Sequence, residues 1–174
     1  MLLTLTGMMG CGKTSVGRLV ADALGCPFFD LDELIVKEAG KEIPAIFAEE
    51  GEAGFRSREA KLLKQTVSKY AGGETLSAVL ALGGGAVTGP GAAALLRDKT
   101  LCVWLQASVE ALTERLSTEA STRPLLAGEM PLSERLTALL EARGPLYEQA
   151  AQIVLDTDGA TPEELADEII ISVL

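Results

Sequence analysis

The feature that most constrains this chain is a glycine-rich octapeptide close to its beginning. Residues 7–14 have the sequence GMMGCGKT, which matches the pattern G-x-x-x-x-G-K-[ST] at every fixed position. An apolar run, Leu2–Thr6, precedes it, and a segment with apolar residues at helical spacing follows it. Glycines in such a turn let successive backbone N–H groups face one anion, and the next helix points its positive end there. The pattern predicts a phosphate-binding loop at the first strand-to-helix connection.

Two side chains of this loop have a predicted chemical function. Lys13 is expected to reach the β- and γ-phosphates of a nucleotide, and the hydroxyl of Thr14 is placed to hold Mg²⁺. Cys11 occupies a free position of the pattern, where a small residue is tolerated. A nucleoside triphosphate with Mg²⁺ is therefore the expected ligand.

The rest of the chain alternates short apolar runs with amphipathic segments. Five runs are predicted as strands, at residues 2–6, 26–29, 76–82, 100–105 and 153–155. Helices are predicted at residues 12–24, 31–39, 44–50, 54–70, 90–98, 109–116, 132–142, 147–151 and 162–174. This alternation favours an α/β fold, a three-layer α/β/α arrangement with a five-stranded parallel sheet, in one domain spanning residues 1–174. The polar stretch 117–131 is expected to be a loop.

Composition excludes several classes of function. A net charge of −10 argues against nucleic acid and membrane surfaces as partners, because both are polyanionic. The absence of histidine excludes His-based metal sites and catalytic triads, and the absence of asparagine excludes the Asn-Lys-x-Asp element that reads guanine. Three cysteines without a CxxC pair, no apolar run of membrane-spanning length and no signal peptide indicate a cytoplasmic protein. Nothing in the sequence demands more than a monomer.

An acidic pair, Asp30 and Asp32, directly follows the second predicted strand. The carboxyl ends of parallel strands lie beside the phosphate-binding loop, so one carboxylate can serve hydrated Mg²⁺ and the other a substrate hydroxyl. Asp30 is equally well placed to cap the following helix, with Asp32 and Glu33 as its acidic first turn. The pattern leaves both interpretations open.

Six segments together resemble the shikimate kinase family over nearly the whole chain. They are residues 7–17 (GMMGCGKTSVG), 29–33 (FDLDE), 46–58 (IFAEEGEAGFRSR), 82–88 (LGGGAVT), 122–127 (TRPLLA) and 143–147 (RGPLY), in the family's order and spacing. The resemblance implies a P-loop NTPase fold with a mobile lid at about residues 117–131 and a substrate-binding helical region at about residues 31–62. It implies ATP-dependent phosphorylation of the 3-hydroxyl of shikimate, a step toward chorismate and the aromatic amino acids.

On the nucleotide side, the resemblance assigns ATP binding to the loop and to two arginines. Arg115 would pack on adenine, and Arg123, on the lid, would reach the transferring phosphate. Thr14 and Asp30 would serve Mg²⁺, with Lys13 on the phosphates. The loop contacts would come from Gly10, Cys11, Gly12, Lys13, Thr14 and Ser15.

On the acceptor side, the resemblance assigns the carboxylate of shikimate to Arg56 and Arg143. Asp32 would bind the shikimate hydroxyls and accept the proton of the attacking one, and Gly84 would offer its backbone N–H. Two alternatives are a related sugar-acid kinase, such as a gluconate kinase, and a non-catalytic ATP-binding module. The pair Arg56 and Arg143 with the triple glycine argues against the first. The presence of Lys13, the acidic pair and Arg123 argues against the second.

Overall fold

The computed structural model describes residues 1–117 and 128–174, and five strands in these ranges form one parallel sheet. Their order across the sheet is β2-β3-β1-β4-β5. Every residue of the two neighbouring strands β1 and β3 is buried, because both strands lie inside a sheet that helices cover on its two faces. The strands are β1 (Leu2–Thr6), β2 (Phe28–Asp30), β3 (Ala78–Ala81), β4 (Leu101–Gln106) and β5 (Ile153–Asp156).

Helices fill the outer layers, as the alternation of apolar runs and amphipathic segments predicts. They are α1 (Lys13–Leu24), α2 (Leu31–Ala39), α3 (Ile43–Tyr70), α4 (Ala92–Lys99), α5 (Val109–Leu116), α6 (Leu132–Ala150) and α7 (Pro162–Val173). Helix α1 packs against α7, and α4 packs against α6. The predicted α/β/α fold with a five-stranded parallel sheet is thereby confirmed. No helix in the described ranges is both long and apolar enough to span a membrane.

The order of the strands brings three loops to one edge of the sheet. Strand β1 lies between β3 and β4, so the chain leaves β1 toward one side of the sheet and later returns on the other. In open parallel sheets, ligands bind at the carboxyl ends of the strands beside such a point. The carboxyl ends of β1, β2 and β3 all lie there. They lead into the phosphate-binding loop, the junction of β2 with α2 that carries Asp30 and Asp32, and the triple glycine.

Helix α6 differs from its prediction. The Gly144-Pro145 pair predicted a break between two helical segments, yet one helix runs from Leu132 to Ala150 with Pro145 inside it. Proline removes one backbone hydrogen bond. Burial of Arg143, Tyr147 and Ala150 along the packed side of the helix outweighs that loss.

Helix α3 has an interruption close to the predicted one. Two segments, 44–50 and 54–70, were expected, and the backbone of Gly51 leaves the helical region between them with φ 71° and ψ 179°. Other boundaries move by a few residues: α4 begins at Ala92 instead of residue 90, and β3 is shorter than the apolar run 76–82.

Candidate active site

The phosphate-binding loop joins β1 to α1, and its backbone adopts conformations that glycine permits. Gly10 and Gly12 have φ of 80° and 96°, in the left-handed region that other residues rarely adopt. Cys11 turns its side chain into the core, where only 1% of the residue is exposed, so its contribution to a phosphate is restricted to the backbone. Ser15 is exposed on the first turn of α1 and borders the cleft above the loop.

The ammonium group of Lys13 lies inside the loop that carries it. Its Nζ donates hydrogen bonds to the carbonyls of Gly7 at 2.9 Å and Met8 at 2.8 Å, and it lies 3.6 Å from the Sγ of Cys11. These bonds satisfy carbonyls that would otherwise repel an anion. They leave the buried ammonium at the centre of the loop, as a phosphate-binding lysine requires.

Asp30 connects the phosphate-binding loop to helix α2 through both of its carboxylate oxygens. Oδ2 accepts a hydrogen bond from the Thr14 hydroxyl at 2.9 Å. Oδ1 accepts from the backbone N–H groups of Asp32 at 2.9 Å and Glu33 at 3.4 Å, which makes Asp30 the N-cap of α2. The capping interpretation is therefore correct, and the same carboxylate also touches the residue predicted to hold Mg²⁺.

A cleft of about 550 Å³ extends from this loop to the triple glycine. Its lining includes Lys13, Thr14, Asp30, Asp32 and Gly84, so the structure brings the predicted phosphate and metal residues together with two of the four predicted acceptor residues. Arg115 also lines this cleft.

Two guanidinium groups converge on the glycine turn. A Cβ atom built on Gly85 would lie 2.4–2.6 Å from three atoms of the Arg56 guanidinium, and one built on Gly84 would lie 3.2 Å from Nη1 of Arg143. Arg143 is only 5% exposed, and its Nη1 has no hydrogen-bond partner among the described residues. A buried cation with an unsatisfied donor is costly unless an anion binds there. The pair is therefore suited to a planar carboxylate.

Two carboxylates face the first glycine of the same turn. A Cβ atom on Gly83 would lie 2.9 Å from Oε2 of Glu59 and 3.0 Å from Oδ1 of Asp32. Oε1 of Glu59 accepts a hydrogen bond from Nη1 of Arg56 at 2.8 Å. Burial raises the pKa of Glu59 above its ordinary value, although the charge of Arg56 opposes the shift. Carboxylates therefore lie next to the first glycine of the turn and guanidinium groups next to the other two, with Glu59 and Arg56 in direct contact.

Arg115 lies beside the phosphate-binding loop and borders a second cavity. Its Nη1 donates to the carbonyl of Gly10 at 3.2 Å. The second cavity, of about 300 Å³, lies between the start of α1 and the segment from Thr157 to Leu165, with Pro162 and Arg115 among its lining residues. This arrangement offers one apolar and one cationic surface to a flat ring. Arg123 and most of the predicted lid lie outside the described residues.

The sequence-based prediction missed two residues of this site, Glu59 and Tyr147. Glu59 lies one helical turn after Arg56, a spacing at which side chains meet, but a charged residue on a helix is usually solvent-exposed. Tyr147 lies within the segment RGPLY, and its hydroxyl donates to the carbonyl of Gly84. The expected helix break at Gly144-Pro145 concealed that Tyr147 follows Arg143 by one turn on the same helix.

The fold and the loop define a P-loop phosphotransferase-type domain whose second site is built for an anionic acceptor. Comparison with known proteins is more specific. The family described as shikimate kinase matches residues 9–174. A shikimate kinase from Symbiobacterium thermophilum is 44% identical over 170 residues, covering 97% of this chain and 94% of the relative. The chain belongs to the shikimate kinase family.

Solved structures agree with this assignment. A shikimate kinase from Acinetobacter baumannii, in complex with shikimate, superposes with a TM-score of 0.89 at 37% identity, covering 99% of this chain and 92% of that one. A gluconokinase from Sinorhizobium meliloti superposes with a TM-score of only 0.57 at 18% identity, covering 98% and 90%, which shows a shared fold alone.

Proposed function

We propose that this chain is an ATP-dependent shikimate kinase that transfers the γ-phosphoryl group of ATP to the 3-hydroxyl of shikimate. The observation that carries the proposal is the buried Arg143 guanidinium. It lies against the same triple-glycine turn as the Arg56 guanidinium, next to a phosphate-binding loop. Membership of the shikimate kinase family supports it. The product serves chorismate and aromatic amino acid biosynthesis.

The acceptor would bind across the triple-glycine turn. Its carboxylate pairs with Arg56 and Arg143, and its hydroxyls lie toward Asp32, on the side of the turn that faces Lys13. Gly84 contributes its N–H between the two ends. Glu59 fixes the Arg56 guanidinium through the 2.8 Å hydrogen bond, so that less rotational freedom is lost when the carboxylate binds.

The nucleotide would bind with its phosphates on residues 10–15 and its base in the cavity beside Arg115 and Pro162. The hydroxyl oxygen of Thr14 and Oδ2 of Asp30 lie 2.9 Å apart, and Mg²⁺ prefers oxygen ligands. Within the described ranges no three His, Cys, Asp or Glu side chains cluster to hold a metal by themselves. This fits an ion carried mainly by the phosphates of ATP. When bound, Mg²⁺ neutralises the charge that develops on those phosphates.

Catalysis would then consist chiefly of positioning and charge neutralisation. Lys13 neutralises the transferring group, and Asp32 orients the attacking hydroxyl and accepts its proton. We assign Arg123 to the same phosphate from a lid at residues 117–131, which would exclude water as a competing acceptor. The net charge of −10 supports the proposal that the chain binds neither nucleic acid nor membranes, and the described cysteines, all free thiols, support a cytoplasmic location. We propose a monomer because nothing in the sequence demands a larger assembly.

The direct test is ADP release from ATP·Mg²⁺ with shikimate, with gluconate, and with neither. Shikimate alone should stimulate release, and Arg143→Ala should raise the KM for shikimate about 100-fold, since losing one partner of a buried charge pair costs several kcal/mol. The KM for ATP should change little. Stimulation by gluconate instead of shikimate would contradict the proposal and favour a sugar-acid kinase.

A further inference from the structure

Tyr147 is the largest fully buried side chain of the described residues, and its hydroxyl reaches the glycine turn of the active site. The hydroxyl donates a hydrogen bond to the carbonyl of Gly84. It also lies 3.7 Å from Sδ of Met8 in the phosphate-binding loop. One side chain therefore touches both the glycine turn and the loop.

The carbonyl of Gly84 depends on α6 in a way that its neighbours do not. The carbonyl of Gly83 accepts from the N–H of Ala86 at 3.0 Å, and that of Gly85 accepts from the N–H of Thr88, also at 3.0 Å. Both partners belong to the short helical turn that follows. The carbonyl of Gly84 instead accepts from a side chain more than 60 residues away, so this bond attaches the turn to another element.

That element also carries Arg143. Because α6 is continuous through Pro145, Arg143 and Tyr147 are four residues apart and project from the same face of the helix. Tyr147 packs its ring against Trp104, with centroids 5.6 Å apart, which fixes the position of the hydroxyl. Burial raises the pKa of Tyr147, with the charge of Arg143 opposing the shift, so the hydroxyl remains a donor at neutral pH.

We propose that Tyr147 is a positioning residue that sets the distance between the Arg143 guanidinium and the glycine turn, and so forms the carboxylate site for the acceptor. Without the hydroxyl, the partly buried Gly84 carbonyl loses its donor, and the turn is free to shift relative to Arg143. Tyr147 would touch neither the acceptor nor the nucleotide. Its effect should therefore appear in acceptor binding before it appears in the chemical step.

The test is Tyr147→Phe, which removes only the hydroxyl and keeps the ring against Trp104. The KM for shikimate should rise about tenfold, the change expected when one partly buried hydrogen bond is lost. The KM for ATP should stay within about twofold. The chain has two tyrosines, so Tyr70→Phe is a matched control. Tyr70 ends α3 and stacks near Phe29, outside the site, and its variant should behave as wild type.

A second acceptor separates positioning from general damage to the fold. With shikimate methyl ester, which lacks the charged carboxylate, the ratio of KM values between Tyr147→Phe and wild type should fall to about twofold or less. An unchanged KM for shikimate in Tyr147→Phe would overturn the inference. So would equal losses for ATP, shikimate and the ester, because these would indicate a structural role only.

The inference rests on the proposed function, and the two can fail separately. If shikimate does not stimulate wild-type ADP release, or if Arg143→Ala leaves the KM for shikimate unchanged, the proposed acceptor site is wrong. If wild type and Arg143→Ala behave as proposed while Tyr147→Phe matches wild type, only the role of Tyr147 is wrong.

Discussion

At the scale of single residues, the guanidinium group of Arg56 occupies the space into which a side chain at position 85 would project. The backbone of Gly85 has φ −97° and ψ 0°, which other residues also adopt, so conformation alone does not require glycine there. A Cβ atom would instead lie within 2.6 Å of three guanidinium atoms of Arg56. Because the guanidinium is the mobile end of a long side chain, a substituted protein can fold by displacing it. The displacement would remove Arg56 from the carboxylate site.

We therefore predict that Gly85→Ala raises the KM for shikimate about tenfold or more, by loss of a charge-assisted contact, while the melting temperature changes little. Steady-state kinetics with each substrate varied in turn, together with thermal unfolding, would measure both. Gly89→Ala is the matched control. A Cβ atom there meets only ordinary contacts at 3.6–3.7 Å, so its kinetics should be unchanged. Equal effects of the two variants would contradict the explanation.

The site residues that the sequence predicted lie in local motifs, whereas those that it missed depend on tertiary packing. Lys13, Thr14 and Asp30 lie in short motifs whose backbone geometry determines what their side chains touch, and they were predicted correctly as neighbours. Glu59 and Tyr147 act because they are buried against other elements. Burial of a glutamate and the direction of a tyrosine hydroxyl depend on tertiary packing, which a local pattern does not encode.

At the scale of elements, helix α3 is bent at Gly51, just before the segment that carries Arg56 and Glu59 to the acceptor site. The φ of 71° with ψ of 179° lies in a region that essentially only glycine adopts. One ion pair crosses the bend: Glu50 accepts a hydrogen bond from Nε of Arg58 at 2.9 Å. Glu50 also pairs with Lys41, which precedes the bend, at 2.9 Å. The pair with Arg58 holds the pKa of Glu50 down at about 2. The partial solvent exposure of these groups limits their contribution to stability.

Replacing Gly51 with alanine should therefore strain the backbone without a steric clash, because no atom lies within 4 Å of the added Cβ. We expect Gly51→Ala to lower the free energy of unfolding by about 1–3 kcal/mol, the usual cost of such a conformation. The KM for shikimate should rise as the segments on either side of the bend realign. Urea unfolding would measure the first effect. Gly72→Ala, equally open but without positive φ, should not destabilise; equal stability of Gly51→Ala and wild type would refute the argument.

Helix α6 shows where reasoning from single elements fails. Gly144-Pro145 is a strong local signal for a helix end, and the prediction divided α6 there. The helix continues because residues on both sides of the pair are buried in the same interface, a gain that no propensity scale includes. The catalytic consequence is that Arg143 and Tyr147 share one rigid element.

At the scale of the whole molecule, this acidic protein places buried cationic side chains at one edge of its sheet. The chain carries a net charge of −10, yet Lys13 and Arg143 are both at least nine-tenths buried beside the same cleft. The alternation of strands and helices was sufficient to predict the layers and the parallel sheet. The alternation did not predict the strand order, which brings the carboxyl ends of β1, β2 and β3 next to one another. Anionic ligands should therefore stabilise the whole fold by neutralising charges that it has buried.

The last prediction measures this coupling between the site and the fold. At about 100 times its dissociation constant, shikimate should add about 2.7 kcal/mol to the stability of the folded state. For a chain of this length, that corresponds to a rise of about 5–10 °C in melting temperature. Gluconate, a carboxylate of the competing kinase class, should give no comparable shift at the same concentration. At the same shikimate concentration, a 100-fold loss of affinity in Arg143→Ala should reduce the shift to about 1–2 °C, while the shift with ATP·Mg²⁺ is preserved. A similar shift for gluconate would mean that the two guanidinium groups recognise any carboxylate, so that the turn and Asp32 would not select the acceptor.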